Sequence, residues 1–320
     1  MSASFPPQAF DVNLKRAQSL LEAMIANSFW GFGFTATIWS LQSFTLSQIL
    51  FIRFAVVGVG GILWAVFCSP NLIKPLLKLS LLPSIFLIME ILFQIWGLET
   101  TTATNAGFLT VTYIVMVPVI EVIFTDRRIS ISHWFCVALA LVGTLLMAEV
   151  QNLRFHLGDF LILVSALGAS LHMLVVDRVG KKEKHLFLTN TMQSLWGALI
   201  LLPLLILKAD AWPAVVSGRS WIGLASLTFG STMLAFYFQM RAQRSLSPSV
   251  ASLLFLIESP IAAGFGLWLL NEEMTILQWF GCLLILSSAA GVIILNLQRP
   301  SDPIEKNTKL EVSADKPSQL

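Results

Sequence analysis

The sequence predicts an all-α membrane protein, with ten transmembrane helices arranged as two inverted five-helix repeats and both termini cytoplasmic. Three observations predict it. The chain is 56% hydrophobic and only 12% charged, with a mean hydropathy of +0.79, whereas soluble domains carry about 25% charged residues. Its apolar residues fall into ten windows of helix-crossing length, and its basic residues alternate between the two sides that those windows define. The second half also echoes the order of features in the first.

Residues 1–19 read as a cytoplasmic N-terminal segment. Asp11, Lys15 and Arg16 accompany Pro6 and Pro7 there, and no short apolar core leads to a small-residue cleavage site. The first apolar run is therefore expected to stay as an anchor. Span 1 (20–41) contains Trp30-Gly31, span 2 (46–67) Arg53, span 3 (75–97) Glu90 and Gln94, and span 4 (104–125) Tyr113 and Pro118. Span 5 (131–150) opens on Trp134-Phe135, span 6 (158–177) carries His172, and span 7 (186–207) carries Gln193. Span 8 (219–240) has Tyr237, span 9 (248–270) Glu258 and Pro260, and span 10 (275–297) opens on Trp279-Phe280. Each is close to the roughly 20 residues that cross about 30 Å of hydrocarbon as a helix. Strands are a poor alternative, since an open sheet edge leaves backbone groups unpaired in lipid. Residues 298–320, with three prolines and alternating charges, read as a disordered cytoplasmic tail.

With the N-terminus inside, sixteen of the 20 Lys and Arg residues fall on the inner side. Only Arg154, Lys208 and Arg219 lie outside, and Arg53 lies within a span. That bias sets the orientation and an even number of crossings. A scattered net charge of +2 excludes nucleic acid as the main partner. Cys68, Cys136 and Cys282 lack paired spacing, so neither a disulfide framework nor a metal site is indicated, and no cofactor is expected. The short loops leave no room for a soluble catalytic domain.

The repeat is visible around spans 4 and 9. TVTYIVMVPV (110–119) aligns with SLLFLIESPI (252–261), pairing Tyr113 with Phe255 and Pro118 with Pro260. Trp134-Phe135 then matches Trp279-Phe280 after three extra residues in the second copy. Five is odd, so two copies in one chain enter the membrane from opposite sides. Such inverted repeats are typical of secondary transporters, with a site near the midplane between the halves.

Over 20–297 these residues resemble the drug/metabolite transporter superfamily, EamA type. The match is sharpest in GSTMLAFYFQMRAQ (230–243), SPSVASLLFLIESPIAA (247–263) and LLNEEMTILQWFG (269–281), and looser at Trp30-Gly31, Arg53-Phe54 and Asn105-Ala106-Gly107. The resemblance divides the chain into repeat 1 (20–150) and repeat 2 (158–297). It implies a secondary carrier, often an exporter of small metabolites or amino acids, without an ATPase. Two departures stand out: Asp126-Arg127-Arg128 replaces the acidic turn usual in the first half, and Asn271 stands where the family often has Gly before Glu272.

An ionisable side chain within a span needs a partner, a proton or a wet cavity. Glu90 and Glu258 lie mid-span and can face a central cavity, binding a cationic group or a proton. Their structural alternative is a protonated acid bonded across a helix interface. Gln94 lies one turn beyond Glu90 on the same face. Arg53 either neutralises an acid or an anionic solute, or snorkels outward towards a residue such as Glu99. His172 either shuttles protons or packs as a hydrogen-bonded residue. Gln193 takes the repeat position of Arg53 as a polar clasp between helices. Glu22, Glu121, Glu149, Glu272 and Glu273 fall near helix ends as interface or capping residues.

Most of the 10 Trp sit near expected interfaces, where such rings anchor helices. Trp30 is mid-span and, with Tyr113 and Tyr237, either lines a cavity with apolar walls and polar tips or packs helices. Pro118 and Pro260 are expected to kink their helices as gating hinges. Gly58, Gly60, Gly61, Gly264 and Gly266 are expected at close helix contacts. The whole reads as an integral, multi-pass membrane transporter, in the inner membrane if the source is bacterial. It would move a small organic solute (amino acid, amine or drug-like), in the export direction, by alternating access around a cavity lined by spans 1, 3, 4, 6, 8 and 9. Proton coupling is open, as is oligomeric state. The alternatives are an intramembrane enzyme acting on lipid or peptide, or a channel or sensor. His133, His156, His172 and His185 are too dispersed for a metal site, and neither HExxH nor GxSxG occurs.

Overall fold

The computed structural model describes residues 7–125, 128–149 and 156–298. The expected disordered tail lies outside the described residues, as do Asp126, Arg127 and Arg154. Among the described residues there are helices and no strands. The helices are α1 (Pro7–Leu41), α2 (Leu46–Cys68), α3 (Pro70–Leu98), α4 (Ala103–Thr110), α5 (Tyr113–Phe124), α6 (Ile131–Ala148) and α7 (Leu157–Lys182). There follow α8 (Leu186–Lys208), α9 (Gly218–Ala225), a π-helical segment (Ser226–Ala235), α10 (Phe236–Ala242), α11 (Pro248–Phe255) and α12 (Glu258–Phe265). A second π-helical segment (Gly266–Leu270) and α13 (Ile276–Gln298) complete the described residues. α4 and α5 together make span 4, α9 to α10 span 8, and α11 to the second π segment span 9.

By length and hydropathy, nine of these spans qualify to cross a membrane among the described residues, and the first does not. The reason is its surroundings. Span 1 packs on spans 8 and 9, so it carries Glu22, Asn27 and Thr35, all buried against protein. The Asn27 amide donates to the Leu254 carbonyl of span 9 at 2.8 Å. Its helix also begins earlier than expected, at Pro7, a residue suited to a first helical position.

Helix starts follow their caps. The Thr45, Thr102, Ser130, Ser217 and Ser247 side chains accept from the first-turn backbone of spans 2, 4, 5, 8 and 9, and Thr275 with Gln278 closes a reciprocal box at the start of span 10. These caps correct the repeat alignment. Thr102 and Ser247, then Ser130 and Thr275, are each 145 positions apart, as are Trp134 and Trp279. The helical interruptions keep the same spacing, Val111-Thr112 in span 4 and Leu256-Ile257 in span 9. No three-residue insertion is needed. Tyr113 therefore corresponds to Glu258 rather than Phe255, and Pro118 and Pro260 are not equivalent.

The packing obeys the exchange of halves. Span 2 lies on span 7 and span 5 on span 10; span 3 lies on span 6 as span 1 lies on span 8, and span 4 meets span 6 as span 9 meets span 1. These are the pairings that a two-fold relation between five-helix halves produces. Residues joined across the ends confirm the alternation. Glu22 meets Arg241, and Glu121 meets Ser249, on the face bearing the termini. On the opposite face Ser47 meets Asp210, Thr101 meets Asp159, and Glu149 meets Thr275.

Small residues set the closest approaches. A Cβ on Gly58 or Gly61 would strike Leu195 or Thr191 of span 7. Gly60 and Gly264, expected at contacts, have nothing within 4 Å of such a Cβ, and Gly266 faces the Glu272 carboxyl. Asn271 has φ 54°, the left-handed turn that glycine or asparagine accepts best after a helix. This explains how Asn replaces Gly there without loss of fold.

Candidate functional site

Glu258 opens α12 directly after the interruption of span 9. Glu90 lies on α3, and Tyr113 opens α5 after the interruption of span 4. The three converge, since the charge of Glu258 reaches Glu90 and the Tyr113 hydroxyl, and that of Glu90 also reaches Tyr113. The Tyr113 hydroxyl donates to the Ser252 carbonyl at 3.4 Å, tying span 4 to span 9. Two glycines hold the acid-bearing backbones in place. A Cβ on Gly168 of span 6 would meet the Glu90 nitrogen at 2.8 Å, and one on Gly31 of span 1 would meet the Glu258 carbonyl oxygen at 3.0 Å. Ser165 adds a hydrogen bond to the Glu90 carbonyl at 2.7 Å.

Neither acid is neutralised by a neighbour. Among the described residues no cation lies within ion-pair distance of either carboxyl, and neither has a hydrogen-bond partner. Both are nevertheless half-buried rather than sealed. An ionised side chain at mid-span costs about 2.5 to 3.5 kcal/mol on insertion scales, and mutual repulsion adds to that for a pair of carboxylates. Two such acids without a counter-charge suit a bound cationic group or a proton.

The packing around them loosens away from the termini. In span 9, every residue of α11 is buried, whereas α12 has no buried residue. Residues 89–95 of α3 are half-exposed through two turns. On the terminus-bearing face the bundle is closed by Glu22, whose Oε1 lies 2.5 Å from Arg241 Nη2.

Other expected residues fall into three places. Trp30 joins the site from span 1, edge-on to Phe255 and Phe236 with centroids at 5.3 and 5.4 Å. Gln94 reaches Thr110 at 3.4 Å, clasping span 3 to span 4 one turn beyond Glu90. His172 is 2% exposed and stands at 90° to Phe236, beside Gln193, with Nε2 unpaired. Tyr237 is not in the central site. It packs on Phe187 and accepts from Arg241 Nη1 at 3.3 Å, inside the closed terminus-side network. Pro260 explains the break at Leu256-Ile257, because its ring displaces the carbonyl four residues back. Pro118 sits inside continuous α5, and the break in span 4 precedes it by six residues, so its kink is not where proline chemistry puts one.

One expectation about a polar residue is corrected. Arg53 does not reach Glu99, which pairs with Lys208 at 4.0 Å. Its Nε donates instead to Thr232 Oγ1 at 2.6 Å. Gln193 ties span 7 to its neighbours, since its side chain lies against the His172 ring of span 6 and its carbonyl accepts from Ser84 of span 3 at 2.9 Å. Sequence reading did not foresee the π-helical segment that carries Thr232. The Thr232 hydroxyl donates to the Leu227 carbonyl five residues back, and Asn190 of span 7 donates to the Thr232 and Met233 carbonyls at 3.1 and 2.9 Å. π bulges recur at functional sites, and the only signal for this one was the run Gly230-Ser231-Thr232. The Glu22, Glu121 and Glu149 carboxyls take the end-of-helix roles expected of them, each bonded to another span.

The pattern of the EamA-like transporter family matches residues 18–148 and 156–294. An uncharacterized transporter of Archaeoglobus fulgidus is 30% identical over 214 residues, 64% of this chain and 64% of its own length. One of Methanothermobacter thermautotrophicus is 22% identical over 205 residues, 62% of this chain and 58% of its own length. The chain thus spans less than two thirds of the length of either relative. A crystal structure superposes with a TM-score of 0.74 at 16% identity, covering 89% of this chain and 99% of that one. That likeness is one of fold alone.

Proposed function

The chain belongs to the EamA-like transporter family, and from that premise we propose that this membrane transporter is a secondary carrier whose solute site is the space around Glu90, Glu258 and Tyr113. One observation carries the reading. Two mid-span carboxyls from opposite halves lie near one another with no hydrogen-bond or ionic partners among the described residues, and both remain half-buried rather than sealed. A structural acid would be bonded or sealed; an accessible, uncompensated pair is suited to a small cationic group or to protons.

In this reading both termini are cytoplasmic, as the basic residues favour. The solute space then faces outward, and the Glu22 and Arg241 contact closes the inner side. Alternating access exchanges the two halves, with spans 4 and 9 bending at Val111-Thr112 and Leu256-Ile257. Trp30 and Gln94 line or support the site, His172 backs it through Phe236, and Pro260 holds one bend; Pro118 is kept as a helix bend within α5. Release outward makes the transporter an exporter. Proton uptake by Glu90 or Glu258 couples the cycle to the proton gradient.

Flux in reconstituted vesicles loaded with a mixed metabolite pool tests this. Saturable flux is expected, with Glu258→Gln abolishing gradient-driven accumulation while exchange continues. Absence of saturable flux for every solute, or normal accumulation by both Glu90→Gln and Glu258→Gln, overturns the reading.

A further inference from the structure

We propose that the side opposite the termini closes when α4 meets α12, with Glu272 capping the first turn of α4 and protonated Glu258 bonding the Gly107 carbonyl. The proposal rests on the alternating-access reading above and names the contacts that its other state requires. With the two halves in register at 145 positions, a contact between spans 4 and 9 has an image on the opposite side of the membrane. On the terminus-bearing side α5 packs on α11. The images of those two helices are α12 and α4, and among the described residues no such packing joins them. Instead α4 lies on spans 3, 5 and 6, and α12 on spans 1 and 10. The structure is one member of an exchanging pair, and the contacts between α5 and α11 specify the other.

The first of these contacts is a helix cap. The Glu121 carboxyl accepts from the Ser249 nitrogen at 3.0 Å and from its hydroxyl, placing a negative charge at the start of α11. The image of Ser249 is Thr104, in the first turn of α4, and the image of Glu121 is Gly266. Glycine carries no carboxyl, but that of Glu272 stands where a side chain on residue 266 would project. The turn after span 9 thus supplies the acid that span 4 carries within its helix. The first-turn amides of α4 are the donors it meets on closure.

The second contact is the Tyr113 hydroxyl donating to the Ser252 carbonyl at 3.4 Å. Its image is Glu258 against the Gly107 carbonyl. A phenol donates at neutral pH, whereas a carboxyl donates only while it holds its proton. Ionised Glu258 would set a negative charge against a carbonyl oxygen, so it opposes closure. The approach is open, since nothing lies within 4 Å of a Cβ built on Gly107. The titratable groups facing Glu258 are Glu90 and Tyr113, and neither brings a positive charge. Otherwise α12 packs on span 1, through Gly31, and on α13, which has no charged residue. Outer closure therefore waits for a proton that Glu258 takes up from the outer side and releases on the terminus side, the direction that drives solute outward.

The test cross-links cysteine pairs in the full-length protein in vesicles, with the exposed Cys68 removed by Cys68→Ser. Thr104→Cys with Glu272→Cys reports outer closure; Glu121→Cys with Ser249→Cys reports the closure present in this structure. Both pairs should react with a short bismaleimide, and the ratio of outer to inner yield should rise roughly threefold or more from about pH 8 to about pH 5. Glu258→Gln, whose amide donates at every pH, should make that ratio independent of pH, and Glu90→Gln should leave the response in place. Glu272→Gln alone should raise the inner yield, because the competing state loses its cap. Gly107→Leu fills the approach while touching nothing in the present state, so it should abolish outer cross-linking and spare the inner pair and the melting temperature. An outer pair that never reacts while the inner pair does, a pH response that survives Glu258→Gln, an inner yield unmoved by Glu272→Gln, or full outer yield in Gly107→Leu overturns the proposal. Saturable flux in vesicles whose outer pair stays unreactive would reject this closure and retain the carrier reading.

Discussion

Tyr113 and Glu258 occupy the same position in the two halves of the chain, each the first helical residue after the interruption of its span, and they meet within electrostatic range. Equivalent residues that face each other lie on the axis relating the halves. The carboxyl of one half therefore stands where the other half has a phenol, and Glu90 supplies the second acid from span 3. This asymmetry makes the two bends chemically distinct although they are topologically alike. Tyr113→Phe is expected to keep the fold and to weaken solute affinity or turnover, because only the hydroxyl and its bond to Ser252 are lost, a change of about 1 kcal/mol. Flux kinetics check it, and unaltered kinetics would remove the hydroxyl from the site.

The Gly168 contact predicts a second outcome. Gly168→Val places side-chain atoms where the Glu90 nitrogen already stands at 2.8 Å from a Cβ, so spans 3 and 6 must part. Overpacking of this kind costs about 1 to 3 kcal/mol, and flux should fall with it. Gly60→Ala is the control, since nothing lies within 4 Å of its Cβ, and it should be neutral or stabilising by up to about 1 kcal/mol. Thermal unfolding in detergent compares the two.

On the terminus-bearing face, Glu22→Gln or Arg241→Gln removes the ion pair that closes the bundle. Each is expected to raise labelling of Tyr113→Cys by an impermeant thiol reagent applied from that face. Exchanging the two charges by Glu22→Arg with Arg241→Glu should restore protection. Labelling unchanged in both single variants would show that closure does not depend on this pair.

On the opposite face, Asp210 is held below the ordinary aspartate range by hydrogen bonds from Ser47 and Thr45. A depressed carboxyl contributes stability that is full above its unfolded pKa, about 3.9, and is lost as the pH falls through the lower folded value. Asp210 is half-buried at the surface, so solvent screens the interaction and the effect is small. Ser47→Ala should lower the melting temperature at neutral pH and converge with the unsubstituted protein on acidification. A constant difference across that range would exclude the linkage.

Much of the fold was legible residue by residue. Nine of the ten spans follow from apolar length, the paired Trp-Phe starts of spans 5 and 10 from identity, and the glutamates near helix ends from their position. The site was legible in part. Glu90 and Glu258 stood out because acids are costly in hydrocarbon, whereas Tyr237 resembled a cavity residue only by being aromatic and within a span. The repeat register went wrong by three residues because apolar segments resemble one another at several offsets, and two prolines made the wrong offset attractive. Polar caps, which bond to defined backbone groups, carried the true spacing.

The amino-acid sequence by itself determined that this chain lies in the membrane and which ionisable groups fall within its apolar segments, because transfer free energy is set by local composition. Only the tertiary structure decided which of those groups meet. Span 1 is polar because it is enclosed, Arg53 is claimed by a π turn of span 8, and Tyr237 belongs to the closed end. Each outcome depends on the rotation and approach of neighbouring helices. Those are fixed by side-chain packing between distant segments, and no local pattern in the chain encodes them.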